Sequence, residues 1–404
     1  MPAFPSIRPA NLSGRSILQI IPELDAGGAE RTAVDIAEGL AAAGAQAYVA
    51  CDGGRLVGEL QAKGGQWLKF PAATKNPAAM LWNARRLAGL ITRHRVEIVH
   101  ARSRAPAWVA LAACGMTRTP FVTTYHGSYS GRSAPKILYN SVMARGDVVI
   151  ANSAYTADLI TSLYPDAAPR IRIIPRGTDL TSFRADAIDA SRIAALRQAW
   201  GIAPHERIVL LAARLTGWKG QRVLIEAARL MKNNGLADTA FILAGDPQGR
   251  ESYVAELDSL ISKGGLDGVV RRVGHVGDMP AAFLAAAAVV VPSTEPEAFG
   301  RSAVEAQALG APVIVSNLGA VPETVQAPPQ VNAEDRTGWR VPPGDAAALA
   351  GALEIALSML PSARDAMAKR ARAHVEKHFA LERMVRDTLD VYTAILEGQA
   401  PQTR

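Results

Sequence analysis

Short apolar runs alternate with segments of helical spacing along nearly the whole chain, and the alternation starts twice. The first run, Ile17–Leu24, reads as a buried strand. Gly27 and Gly28 follow as a tight turn, and Ala29–Ala43 has helical spacing through Ala33, Ile36, Ala37 and Leu40. Gly44 closes that helix and Ala47–Cys51 is the next strand. Strands are then expected at Val96–His100, Phe121–His126, Asp147–Ala151 and Arg170–Pro175. Helices are expected between them at Ala105–Cys114, Lys136–Ala144 and Ser153–Leu163. The stretch RGTDLTSF interrupts the rhythm, and Asp186–Trp200 reads as a polar helix. The pattern restarts with strand Ile208–Leu215 and helix Gln221–Met231. It continues through strands at Ala240–Ala244, Val270–Val276, Val289–Val291, Pro312–Ser316 and Gly338–Val341. Parallel strands need long crossovers, which these helices supply. The expected fold class is α/β, with two Rossmann-like, doubly wound parallel-sheet domains. They are expected to divide at 185/186, with the second running over 186–379.

A chain of 404 residues is too long for one ordinary core. Two cysteines, Cys51 and Cys114, make no disulfide framework, and a reducing compartment is the simple expectation. The first sixteen residues lack the apolar core of a signal peptide. No apolar run reaches the roughly 18 residues that span a bilayer. The net charge of +7 and pI near 9.5 fit a soluble protein with a basic surface, or one drawn to anionic lipid or nucleotide. No zinc-finger spacing and no aromatic-rich basic strand occur, so no nucleic-acid partner is expected.

The chemistry concentrates around VPSTEPEAFGRSAVE, Val291–Glu305. A strand ends there, a turn follows, and a helix is expected to restart at about Phe299–Gly300. Gly300 lets a ligand approach the backbone, and free amides at a helix start attract anions. Glu297 is placed in the turn and Glu305 two helical turns in. Acidic residues favour helix starts anyway, which accounts for Glu297 but not for Glu305 ahead of an apolar run. Upstream, ARLTGWKG sets Arg214 and Lys219 after a strand, where open α/β sheets collect ligands. Two fixed cations suit a diphosphate. Two solvated surface cations would read the same way, and the glutamates downstream favour the ligand. His126 ends another strand, where a structural role is the usual one for a lone histidine. Gly27 and Gly28 make no G-x-G-x-x-G fingerprint, and no Walker sequence occurs. There is no D-x-D for a nucleotide-bound cation and no G-x-S-x-G elbow.

Together GGAER, RGTDLTSF, ARLTGWKG, LAGDPQGRE and PSTEPEAFGRSAVEAQALGAPVIVSNLGAVPE resemble the family 4 retaining glycosyltransferases of the GT-B fold. The resemblance runs from about Ile17 to Leu396 and is strongest in the second half. It implies two domains facing an interdomain cleft, with a last helix over 380–397 that crosses back to the first domain. It implies a UDP- or GDP-sugar donor held mainly by the second domain. Arg214 and Lys219 would neutralise the diphosphate, Glu297 would hold sugar hydroxyls, and Glu305 would hold the ribose. The Phe299, Gly300 and Arg301 backbone would meet phosphate. Gly27 and Gly28 would approach the diphosphate from the other domain. His126 would lie near donor sugar and acceptor. No metal and no cofactor are expected. Two positions depart from the family: Arg176 stands where Asn is common, and Ala213 where Gly often precedes the arginine.

The resemblance leaves the acceptor open. Cations gather at Ala84–Arg95, Ala101–Pro106 and Arg132–Lys136. They suit a cytoplasmic enzyme resting on the inner membrane and glycosylating a lipid-linked or lipopolysaccharide precursor. They equally suit a basic face in solvent. Rival readings are a GT-B epimerase or phosphorylase, and a non-catalytic nucleotide-sugar-binding protein. The intact charged residues argue against the non-catalytic reading. A dehydrogenase lacks its glycine fingerprint.

Overall fold

The computed structural model describes residues 12–25, 27–74, 76–127 and 133–399. The chain forms two units, one of residues up to Gly177 plus those from Leu381 onward, the other Thr178–Ala380.

The first unit is built on seven strands: β1 (Ser16–Ile20), β2 (Gln46–Cys51), β3 (Gln66–Lys69), β4 (Ile98–Ala101), β5 (Phe121–Tyr125), β6 (Val148–Ala151) and β7 (Ile171–Ile173). All pairs are parallel, in the order β3-β2-β1-β4-β5-β6-β7. The order reverses between β1 and β4, so a crevice is expected beyond their carboxyl ends. Helices cover both faces. Pro77–Arg93 packs beside Arg104–Thr117 over one face. Gly28–Ala42 and Leu381–Leu396 cover the other. The last helix buries Met384, Leu389, Val391, Tyr392 and Ile395 among Ile17, Ile36 and Leu40. The expected return of this helix to the first domain is therefore present.

The second unit has six strands: β8 (Arg207–Ala212), β9 (Thr239–Ala244), β10 (Val270–Gly274), β11 (Ala288–Val291), β12 (Val313–Ser316) and β13 (Trp339–Val341). They are again all parallel, ordered β10-β9-β8-β11-β12-β13. Here the order reverses between β8 and β11. Every residue of β9, β11 and β12 is buried, which explains their unbroken apolar runs.

Three expectations need correction. The units divide after Gly177 rather than at 185/186, because Leu180 and Phe183 pack on Phe299, Val375 and Phe379. The Thr178 amide also donates to Phe379 O at 2.8 Å. The helix placed at Asp186–Trp200 starts only at Ala190, with the Asp189 side chain capping it. The helix after β11 starts at Arg301 rather than at Phe299–Gly300, because Gly300 sits at φ +88° and cannot continue it backwards. Glu305 is consequently about one turn into that helix, not two. Arg132 and the first eleven residues lie outside the described residues.

Candidate functional site

In the second unit, β8 and β11 pair side by side, so the loops leaving their carboxyl ends meet. One loop carries Arg214 and Lys219, the other Ser293 and Glu297. Glycine permits the approach. Gly220 has φ +81°, and a Cβ there would stand 1.9 Å from Pro292 O. The Thr294 amide donates to Trp218 O at 2.8 Å across the same seam. From the other side Gly319, at φ +67°, backs onto Glu297, whose carbonyl a Cβ would meet at 2.4 Å. The Ala320 amide donates to that carbonyl at 2.8 Å.

Lys219 Nζ donates to Glu297 Oε1 at 2.5 Å, and Ser293 Oγ donates to the same oxygen at 2.7 Å. The two charged side chains are only 16% and 11% exposed. Lys219 also lies 4.2 Å above the Trp218 ring. Glu297 is thus held by two donors and backed by a pinned backbone, which leaves its other oxygen for a hydroxyl. Arg214 is exposed, and its side chain makes no hydrogen bond or ion pair among the described residues. Its backbone is fixed by Gln221 Nε2, which donates to Arg214 O at 3.0 Å.

Gly300 starts the Arg301–Ala308 helix without a side-chain cap, and since the Ala303 amide donates to Gly300 O at 3.0 Å, the Arg301 and Ser302 amides are the ones left for an anion. The Phe299 side chain is buried edge-on to Phe379, their centroids 5.5 Å apart, so it packs and only its backbone is free to serve a ligand. Glu305 is buried and accepts from Arg301 Nε at 2.8 Å. Burial pushes its carboxyl above the ordinary range, against the pull of Arg301. Burying a carboxylate this way is unfavourable without a further donor, such as a hydroxyl pair.

In the first unit, Gly27 is an uncapped helix start after β1. The Glu30 carboxylate folds back over it, with Oε2 2.0 Å from where a Cβ would be. An anion arriving at Gly27 and Gly28 has to displace that carboxylate. His126 follows β5. Its Nε2 is buried with no hydrogen-bond partner among the described residues, and its Nδ1 faces Arg176 Nη2 at 3.2 Å. Burial first, then Arg176 and Arg102, holds the imidazole well below its ordinary range. Sequence reasoning missed Ser293, Trp218 and the Arg176–His126 contact. No cluster of three His, Cys, Asp or Glu able to hold a metal occurs among the described residues.

Two family models match the chain: "Glycosyltransferase Family 4" over residues 26–182 and "Glycosyl transferases group 1" over 193–374. A crystal structure of a glycosyltransferase from Rickettsia africae is 31% identical, with a TM-score of 0.86, covering 95% of this chain and 99% of that one. Anabaena Alr3699/HepE, solved with UDP and glucose, is 25% identical, with a TM-score of 0.79 and coverage of 94% and 100%. A D-inositol 3-phosphate glycosyltransferase of Jonesia denitrificans is 27% identical over 73% of this chain and 71% of its own length. Other curated relatives are matched over little more than half of their length.

Proposed function

Because the chain belongs to the family 4 glycosyltransferases of the GT-B fold, we propose that it moves a hexose from UDP-hexose to an anionic, lipid-linked acceptor with retention of configuration. The observation that carries the donor half is the pairing of Lys219 with Glu297 at the sheet's reversal point, with Arg214 open beside it. Arg214, Lys219 and the open amides after Gly300 gather positive charge where a diphosphate leaves. Charge that develops in the transition state is what such fixed groups stabilise. Glu297 takes sugar hydroxyls and Glu305 the ribose. The bond from the anomeric carbon to the diphosphate breaks, and one to the acceptor oxygen forms on the same face. The acceptor's proton passes to the departing phosphate. Two protein cations carry the charge a divalent ion would otherwise supply, so no metal is required. UDP is favoured over GDP by the likeness to the Anabaena protein, solved with UDP and glucose.

The acceptor half rests on charge. Residues 60–146 hold thirteen Lys and Arg against one acid, Glu97, a surplus of 12 in a chain whose total is +7. The helix Pro77–Arg93 lies within this window and exposes Leu81 and Trp82, 51% and 66% accessible, with Arg85, Arg86 and Arg93. An apolar tip among cations suits the surface of an anionic membrane. This reading keeps the protein in the cytoplasm, peripheral on the inner membrane, in glycolipid, lipopolysaccharide or polysaccharide assembly.

Calorimetry with UDP, GDP and ADP, each with EDTA present, tests the donor half. UDP is expected to bind at micromolar levels without metal. Lys219→Ala and Glu305→Ala should each weaken it about tenfold or more, the worth of one charge-assisted contact. Binding that ignores both substitutions would remove the proposed site.

A further inference from the structure

The first unit holds a contact that the family resemblance does not supply. Arg176, in the loop after β7, brings Nη2 to 3.2 Å from His126 Nδ1. A guanidinium only donates hydrogen bonds. Nδ1 therefore accepts, and an accepting Nδ1 carries no proton. The same bond excludes the imidazolium, in which both ring nitrogens are donors. The single ring proton is left on Nε2. That nitrogen is buried and meets no partner among the described residues. Buried donors are nearly always paired in a completed structure, so this one is placed for a group that arrives from outside the unit.

The charges around the ring agree. Arg176 and Arg102 both face His126, and both disfavour a second proton on it. His100, on the neighbouring strand β4, is wholly buried. It lies 2.6 Å from both Tyr392 Oη and Thr124 Oγ1, and burial first, then the Arg102 cation, holds it well below its ordinary range. No carboxylate figures among the groups acting on His126.

We propose that Arg176 is a positioning residue that locks His126 as its neutral Nε2–H tautomer. The histidine then meets an incoming oxygen as a hydrogen-bond donor and not as a base. The identity of that oxygen, a hydroxyl of donor sugar or acceptor, rests on the transferase reading above. The lock itself stands on the ligand-free chain. Its consequence for the reaction is that His126 cannot take the acceptor's proton, which must leave by the phosphate. An Asn at position 176, common in the family, has a shorter reach and no charge, so the lock distinguishes this chain.

Long-range proton–nitrogen spectra of the full chain labelled with 15N-histidine test the lock. His126→Gln identifies the signal among the seven histidines. The unaltered protein should show the Nε2–H pattern and no titration from about pH 5.5 to 8.5. Arg176→Met should show mixed tautomers and protonation beginning nearer the ordinary histidine range. Arg176→Lys, which can still donate, should restore the single tautomer. An Nδ1–H pattern, or an ordinary titration, in the unaltered protein overturns the proposal. So does an Arg176→Met spectrum identical to the parent. The spectrum of the unaltered protein is decisive on its own for the tautomer, whether or not the variant folds. The spectra are recorded without ligand, so a failure of UDP to bind leaves them unchanged. Failure of the lock likewise leaves the calorimetry unchanged.

Discussion

At the scale of single residues, charge is held in place by burial and unequal partnership. Glu297 has two donors on one oxygen, while the Arg214 side chain has no acceptor among the described residues. The sequence made Arg214, Lys219, Glu297 and Glu305 legible, because each sits at a fixed offset from a strand end or helix start. It assigned Lys219 to phosphate and Glu297 to sugar as separate tasks. Their ion pair joins positions 78 apart, and only the β8–β11 pairing brings them together. Ser293 escaped notice because a serine in a proline-rich turn is ordinary. Arg176 was visible as a departure from the family, yet its partner His126 lies 50 positions away. The same balance of burial and charge predicts a pH effect at Asp35, on the helix after Gly27. Burial raises its carboxyl from 3.8 to about 6, against Arg31 and Lys63, which pull it down. A carboxyl raised in the fold contributes its stability below the unfolded value, and loses it as pH rises through 6. Asp35→Asn should therefore leave stability unchanged near pH 4 and raise it by up to about 3 kcal/mol at pH 7.5. Urea unfolding at the two pH values checks this; equal shifts at both would show that the carboxyl's charge is not the cause.

At the scale of elements, the buried parallel strands and most of the strongly periodic helices were legible, since apolar spacing alone defines them. The helix Pro77–Arg93, read only as a cation-rich stretch from Ala84, was not, and neither were strand β3 and the helix Val57–Ala62. That helix buries only Leu60, and β3 lies at the sheet edge with no residue fully buried, so neither has a clear apolar period. The docking of the last helix rests on a detail no periodicity shows. Gly39, inside the Gly28–Ala42 helix, faces Val385, whose Cγ1 stands 2.2 Å from where a Cβ would be. In a free helix Gly→Ala stabilises by about 1 kcal/mol. Here it should destabilise by about 1–3 kcal/mol, because valine is stiff at χ1 and both helices are packed. Val385→Ala alone leaves a small void and costs less. The double variant should be more stable than Gly39→Ala alone, and a double-mutant cycle on thermal midpoints measures that rescue. Additive effects would mean that Gly39 and Val385 do not limit the approach of the last helix.

At the scale of the whole molecule, the dominant asymmetry is charge. The surplus of 12 in residues 60–146 exceeds the chain's total of +7, so the remaining residues together are net acidic. Positive charge is thus concentrated in one part of the chain, and the net charge alone understates it. No single helix among the described residues is long and apolar enough to cross a membrane. Each Lys or Arg near an anionic leaflet is worth about 1 kcal/mol and is screened by salt. Trp82 adds an apolar term that salt does not screen. The two contributions can be separated by flotation with vesicles containing phosphatidylserine. Arg85→Glu with Arg86→Glu should abolish binding at low salt. Trp82→Ala should weaken it modestly at low salt and remove whatever survives at about 0.5 M salt, where the Debye length has shrunk to a few ångström. Neither change touches Arg214, Lys219, Glu297 or Glu305, so UDP affinity should stay at the parent value in both. Vesicle binding that is absent in the parent, or equal with neutral lipid, would remove the charge argument for an anionic, lipid-linked acceptor.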